Sequence, residues 1–171
     1  MQLHMGTWAS AIQSNQLDIE IRFGNGEWLG QRATLLERSP VIPVCHPGLQ
    51  PSGETLEELR DSSLIEIIGV TDNWHQFFRQ ENLTPPAQTP VFSVDQSIAA
   101  LELAANGMGH ALVSEFFAAP YLLDGRLARA LPLEKQTDQC IYVTCPNGPV
   151  SYGCQMFLDW IVERSSQMRQ A

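Results

Sequence analysis

Apolar and polar positions alternate along residues 17–24, LDIEIRFG. Leu17, Ile19, Ile21 and Phe23 fall on one side and Asp18, Glu20 and Arg22 on the other, the period of a strand. A glycine-rich loop, GNGEWLG, follows. RATLLERSPVIPVCHPG then reads as two short extended segments ending in a turn, and Pro43 places the second at an edge or crossover rather than in a sheet centre. Thr55 and Glu58 form a T-x-x-E capping box ahead of a short helix, TLEELR. The β-branched run Leu64–Ile68 predicts a strand. Trp74, Phe77 and Phe78 recur at i, i+3 and i+4, one face of a short helix.

The clearest unit is FSVDQSIAALELAANGMGHALVS, residues 92–114, which reads as strand, helix, strand. Ser93 and Gln96 have the S-x-x-Q spacing of a capping box, which starts the helix at about Val94. Ile98, Leu101 and Ala105 share a face, and Asn106-Gly107 supplies the stop. A β-α-β unit of this length suits parallel pairing. A second helix over 115–125, an extended RLARAL, the strand IYVTCP (141–146) and an amphipathic closing helix complete the chain. Met156, Phe157, Trp160 and Ile161 mark the apolar face expected on that last helix.

Composition narrows the function classes. The 171 residues are 44% hydrophobic and 17% charged, which suits one globular domain or two small lobes. Net charge is -9, and Lys135 is the single lysine, so no basic stripe for nucleic acid is present. No apolar run reaches the ~18–20 residues of a membrane span. MQLHMGTWAS lacks the pattern of a signal peptide, which makes a cytoplasmic location the expectation.

Candidate chemistry is sparse. The four cysteines, Cys45, Cys140, Cys145 and Cys154, have neither CxxC spacing nor a histidine set for zinc, so no metal is expected and buried free thiols are. Cys45-His46 has the residue types of a nucleophile and base, but neighbours on an extended segment point to opposite faces. Asp18 and Glu20 are expected on a solvated face. No catalytic set and no cofactor motif emerges, which favours binding over reaction. The junction Ser93, Val94, Asp95, Gln96 and Ser97 is different. A helix beginning at the carboxyl end of a strand presents free amides and a positive dipole end, and open α/β sheets bind ligands there.

These units, in this order, resemble the effector-binding domain of LysR-type transcriptional regulators, in the branch of the glycine-cleavage activator and the β-lactamase regulator. The resemblance rests on LDIEIRFGNGEW, PVCHPGL, TLEELRDSSLIEI, VDQSIAALELAANGMGHALV, LLDGRLARAL and MFLDWIVE. It implies an α/β, periplasmic-binding-protein-like fold, with two α/β lobes joined by crossover strands and a small effector in the cleft between them. Residues 1–43 and 140–171 would form the first lobe and 44–139 the second. Ser93–Ser97 would line the cleft from the second lobe, facing Gly24 and Asn25 on the first. Trp74 matches the first tryptophan of the family's W-x-x-W and is expected at the rim.

The family's effector domain opens with a strand and helix that have no counterpart before QLHMGTW. An incomplete first lobe, and a dimer or higher oligomer to cover it, are therefore expected. DNA binding would require an N-terminal winged helix-turn-helix absent from this chain. A solute-binding protein of the same fold, or an enzyme on that scaffold, are the rival readings.

Overall fold

The structure is a computed structural model that describes residues 17–51, 55–70, 73–86 and 91–168. The MQLHMGTWAS and QLHMGTW segments, read above for targeting and for family resemblance, lie outside the described residues. The chain divides into two compact units, residues 1–38 with 138–171, and Ser39–Thr137.

The first unit holds a three-stranded antiparallel sheet. Strand β1 (Glu20–Gly24) and strand β2 (Gln31–Glu37) flank β8 (Cys140–Pro146), which comes from the far end of the sequence. Glu20 faces Thr144 across one ladder, and Ala33 faces the same residue across the other. The alternation in LDIEIRFG does produce a strand, but its faces are used in reverse. Ile21 and Phe23 are 57% and 42% exposed. Glu20 and Arg22 form an ion pair with side chains 16% and 17% exposed, Arg22 lies over the Trp28 ring, and Gln31 Nε2 donates to Glu20. The GNGEWLG loop thus covers Glu20 and Arg22, and of the two acids expected on a solvated face Asp18 is exposed while Glu20 is half-buried.

Helix α5 (Tyr152–Met168) belongs to this unit and packs on β2. Its sheet-facing row differs from the expected one. Ser165 Oγ bonds the Leu36 carbonyl, and Leu158 and Val162 face Val143 and Cys145 across a groove of about 450 Å³. Met156 and Trp160, expected to pack, are more than half exposed. They lie on a helix row turned away from Leu158 and Ser165.

The second unit is a five-stranded sheet with helices on both faces. Its strands are β3 (Val41–Cys45), β4 (Leu64–Ile67), β5 (Phe92–Val94), β6 (His110–Ser114) and β7 (Ala128–Arg129), in the order β5-β4-β6-β3-β7. β4 runs parallel to both β5 and β6, whereas β3 is antiparallel to β6 and β7. Because β3 pairs on both sides within this unit, Val41–Pro43 belong to it rather than to the first lobe. Pro43 therefore sits in a flanked strand. Its carbonyl accepts from Ala130 N on the β7 side, and the missing N–H falls on that same side, where β7 pairs only with Val44 and Cys45.

Two apolar clusters sandwich the sheet. On one face, α3 (Ser97–Ala105) places Ala100, Leu101 and Ala104 against Ile65, Ile67, Ala111 and Val113, joined by α4 (Glu115–Leu123) through Ala118 and Tyr121. On the other, α1 (Leu56–Arg60) contributes Leu59, and α2 (Trp74–Gln80) contributes Trp74, Phe77 and Phe78, against Leu64 and Leu112. Leu64 and Ile65 are successive residues of β4, so they point to opposite faces. Thr55 Oγ1 accepts from Glu58 N, so the capping expected for α1 is present. Thr55→Ala is expected to cost about 1 kcal/mol, read as a lower urea midpoint at constant m-value; an unchanged midpoint would mean that this bond is not formed in solution.

Candidate functional site

The site begins with how β4 and β5 hand over to their helices. The two strands are adjacent and parallel, with Ile67 registered on Val94. Beyond β4 the chain reaches α2 on one face of the sheet, and beyond β5 it reaches α3 on the other. Strand neighbours whose following helices diverge leave a crevice at their carboxyl ends. Ile68 N donates to the Val94 carbonyl at 2.8 Å and holds the two strand ends together just there.

Ser93 and Val94 are part of β5, paired with Glu66 and Ile67, and the helix starts three residues later than the S-x-x-Q spacing implies. The cap residue is Gln96, in extended conformation, and its side chain makes no capping bond to the helix. Strand pairing of Ser93 has won over capping by Ser93. The first intrahelical bond is Ala100 N to Gln96 O, so the amides of Ser97, Ile98 and Ala99 precede it. The other helices of this unit differ. Thr55 and Asn73 cap α1 and α2, and α4 uses Pro40 O and Ser39 Oγ for its first two amides. Ser93 and Asp95 are exposed, while Val94, Gln96 and Ser97 are half-buried.

Trp74 is not at a rim. It is 2% exposed, its rings pack against Phe77 and Phe78, and its indole N–H donates to the Ile65 carbonyl at 2.9 Å. An aromatic residue at the i position of a helical i, i+3, i+4 triplet is here a core residue.

Gly24 and Asn25 belong to the first unit. Asn25 Oδ1 accepts from Glu27 N, and the Tyr142 hydroxyl donates to the Asn25 carbonyl at 3.5 Å. The loop is shaped by aromatic packing, with Trp28 edge-on to Tyr142 and Gly26 so close that a methyl group there would lie 2.8 Å from the Tyr142 ring.

Glu66 was missed by sequence reasoning. It lies near the carboxyl end of β4, its carboxyl is pushed up by burial, and the Trp74 amide opposes that shift. The signal available was one acid inside the β-branched run LIEI. Cys45 and His46 diverge as expected. The thiol is buried and pushed up to about 11 by desolvation, while His46 Nδ1 accepts from Gly48 N. Among the described residues, no group of three or more His, Cys, Asp or Glu side chains is placed to hold a metal ion.

A family model described as the LysR substrate binding domain matches residues 1–166. The chain belongs to this family. As a LysR substrate-binding domain it is 30% identical over 152 residues to the HTH-type transcriptional activator AmpR of Rhodobacter capsulatus, covering 88% of this chain and 52% of the relative. It is 28% identical over 160 residues to the glycine cleavage system transcriptional activator of Escherichia coli K12, covering 90% and 51%. The chain thus spans about half the length of these relatives. The solved effector domain of AmpR from Pseudomonas aeruginosa superposes with a TM-score of 0.79 at 27% identity, covering 91% of this chain and 75% of that one. This LysR domain accordingly has the periplasmic-binding-protein-like α/β fold and is an effector-binding domain of the kind that transcriptional regulators carry.

Proposed function

We propose that this domain senses a small metabolite at the carboxyl ends of β4 and β5, with Ser93, Val94, Asp95, Gln96 and Ser97 lining the site. The observation that carries this reading is the start of α3 at the strand switch point, where the cap residue Gln96 makes no side-chain capping bond. The amides of Ser97, Ile98 and Ala99 precede the first intrahelical bond, and the helix dipole favours an acceptor there. A carboxylate-bearing effector suits those amides, and Asp95 beside them suits an accompanying cationic group. Sensing would work by population shift, with the effector stabilising one arrangement of a dimer or higher oligomer. DNA contact would come through a helix-turn-helix elsewhere in a longer polypeptide, as the names of the relatives indicate for them. A cytoplasmic, non-enzymatic role fits this reading. The buried Cys45 thiol and its divergent neighbour His46 offer no nucleophile and base.

Thermal-shift screening of the chain against carboxylate metabolites and amino acids tests the site. Ser97→Pro is the informative variant, because proline is tolerated at the first helical position and deletes one amide without breaking the helix. A stabilising compound is expected to lose about tenfold in affinity, or about 1.4 kcal/mol, in Ser97→Pro, and to respond to Asp95→Asn. An unchanged response in both variants would remove the site from this end of the sheet.

A further inference from the structure

The second unit contains a part-buried hydrogen-bond network, centred on a buried histidine, that is one hydrogen short. His110 opens β6 and is 4% exposed. Its Nε2 lies 3.0 Å from the Leu49 carbonyl, and its Nδ1 lies 3.0 Å from Ser62 Oγ. The Ser62 hydroxyl is itself 2.6 Å from the Leu59 carbonyl, to which it can only donate. These three contacts need three hydrogens. A neutral imidazole and one hydroxyl supply two. With Nε2–H committed to Leu49, the single Ser62 hydrogen must serve either Nδ1 or Leu59. A second ring proton removes the conflict, and all three contacts are then made.

We propose that Ser62 and His110 form a proton switch: in mildly acidic solution Nδ1 takes a proton from solvent, donates it in a hydrogen bond to Ser62 Oγ, and leaves the hydroxyl hydrogen to the Leu59 carbonyl. The switch joins three segments. Leu49 ends the short 3-10 turn Pro47–Leu49 after β3, Ser62 lies in the turn between α1 and β4, and His110 is registered on Leu64 at the start of β4. It therefore acts at the amino ends of β4 and β6, away from the strand ends that carry Ser93–Ser97, and it does not depend on that site. The Leu59 carbonyl keeps the Ser62 amide at 3.2 Å in either state, so the hydroxyl can leave without stranding it.

Two opposing influences set where the switch works. Burial disfavours the imidazolium and is the larger effect, while the Leu49 and Ser63 carbonyls favour it; the net direction is downward from 6.5. Described charged and titratable groups on the surrounding segments are Cys45 on β3, His46 before the turn, Glu57, Glu58, Arg60 and Asp61 on and after α1, Glu66 on β4, and Arg129 on β7, whose carbonyl takes Gln50 Nε2. Arg60 and Asp61 are paired with each other. Because folding lowers the His110 value, the unfolded chain takes up the proton first. Stability resting on neutral His110 is complete above about 6.5 and declines as the pH falls below it.

Histidine side-chain nitrogen and carbon resonances of the intact chain, followed from pH 8 to pH 4.5, test the proposal. At pH 8 His110 is expected as the Nε2–H tautomer. Its midpoint is expected below 6.5, with the Ser62 amide and the Leu59 carbonyl carbon shifting at the same midpoint. In Ser62→Ala the Leu59 response is expected to vanish and the His110 midpoint to fall by about half a pH unit or more; Ser62→Thr, which keeps a hydroxyl, should restore both. An Nδ1–H tautomer at pH 8, unfolding before His110 titrates, or an identical Leu59 response in Ser62→Ala would each overturn it.

Discussion

Trp74→Ala is expected to destabilise the protein by about 3–5 kcal/mol, the range for deleting a large buried aromatic side chain. Three losses combine. The ring is 2% exposed and packs stacked on Phe78 and edge-on to Phe77, with centroids 5.7 Å away in each case. Its N–H also satisfies the Ile65 carbonyl, which lies on a β4 residue that is itself 1% exposed. A cavity would remain, and the Ile65 carbonyl would lose the indole donor. Urea unfolding followed by far-ultraviolet circular dichroism should show the loss as a lower midpoint at constant m-value. Trp74→Phe keeps most of the volume and should cost about 1–2 kcal/mol, chiefly through the lost donor. That milder variant separates core from rim, since it should leave any effector response intact. A cost below about 1 kcal/mol for Trp74→Ala would contradict burial in the α2 cluster.

Gly109→Ala should be nearly as damaging, by about 3 kcal/mol. Gly109 has φ +152°, a region that side chains rarely adopt. A methyl group there would lie 2.5 Å from the Ser63 carbonyl oxygen and 3.1 Å from its carbon. Both are backbone atoms at the head of β4, and the same oxygen accepts the His110 amide at 2.8 Å. Relief therefore requires parting β6 from β4. Gly125→Ala is the control. Its φ is also positive, at +75°, but a methyl group meets nothing within 4 Å, so only the conformational strain of about 1 kcal/mol applies. For a chain of this size the first variant should lower Tm by roughly 6–12 °C and the second by far less. Equal shifts would mean that the Ser63 contact is not made in solution.

Local patterns told which segments were strands and helices better than they told which face each would use. The i, i+3, i+4 aromatic triplet gave α2, Thr55 gave the start of α1, and Asn106-Gly107 gave the end of α3. These are short-range effects, complete within one or two turns. The errors arose where a distant partner decides. Ser93 could cap a helix or pair in a strand, and only the presence of Glu66 beside it settles the choice. Ile21 and Phe23 alternate correctly, yet Trp28 and Gln31 turn the opposite face into the covered one. Resemblance placed Trp74 by its position in a motif, whereas burial is fixed by the sheet beneath it. The junction at Ser93–Ser97 was legible as a strand-to-helix handover. That α2 and α3 leave β4 and β5 on opposite faces was not, because strand order is a tertiary property.

Strand β8 occupies the middle of its sheet, although it is encoded more than a hundred residues after β1 and β2. During synthesis the segment Ser39–Thr137 therefore emerges whole and can collapse before β8 has left the ribosome. The other sheet must wait, its two outer strands held apart until the last one arrives. A premature stop codon ahead of residue 140 would thus spare one body and deprive the other of the strand around which it is built.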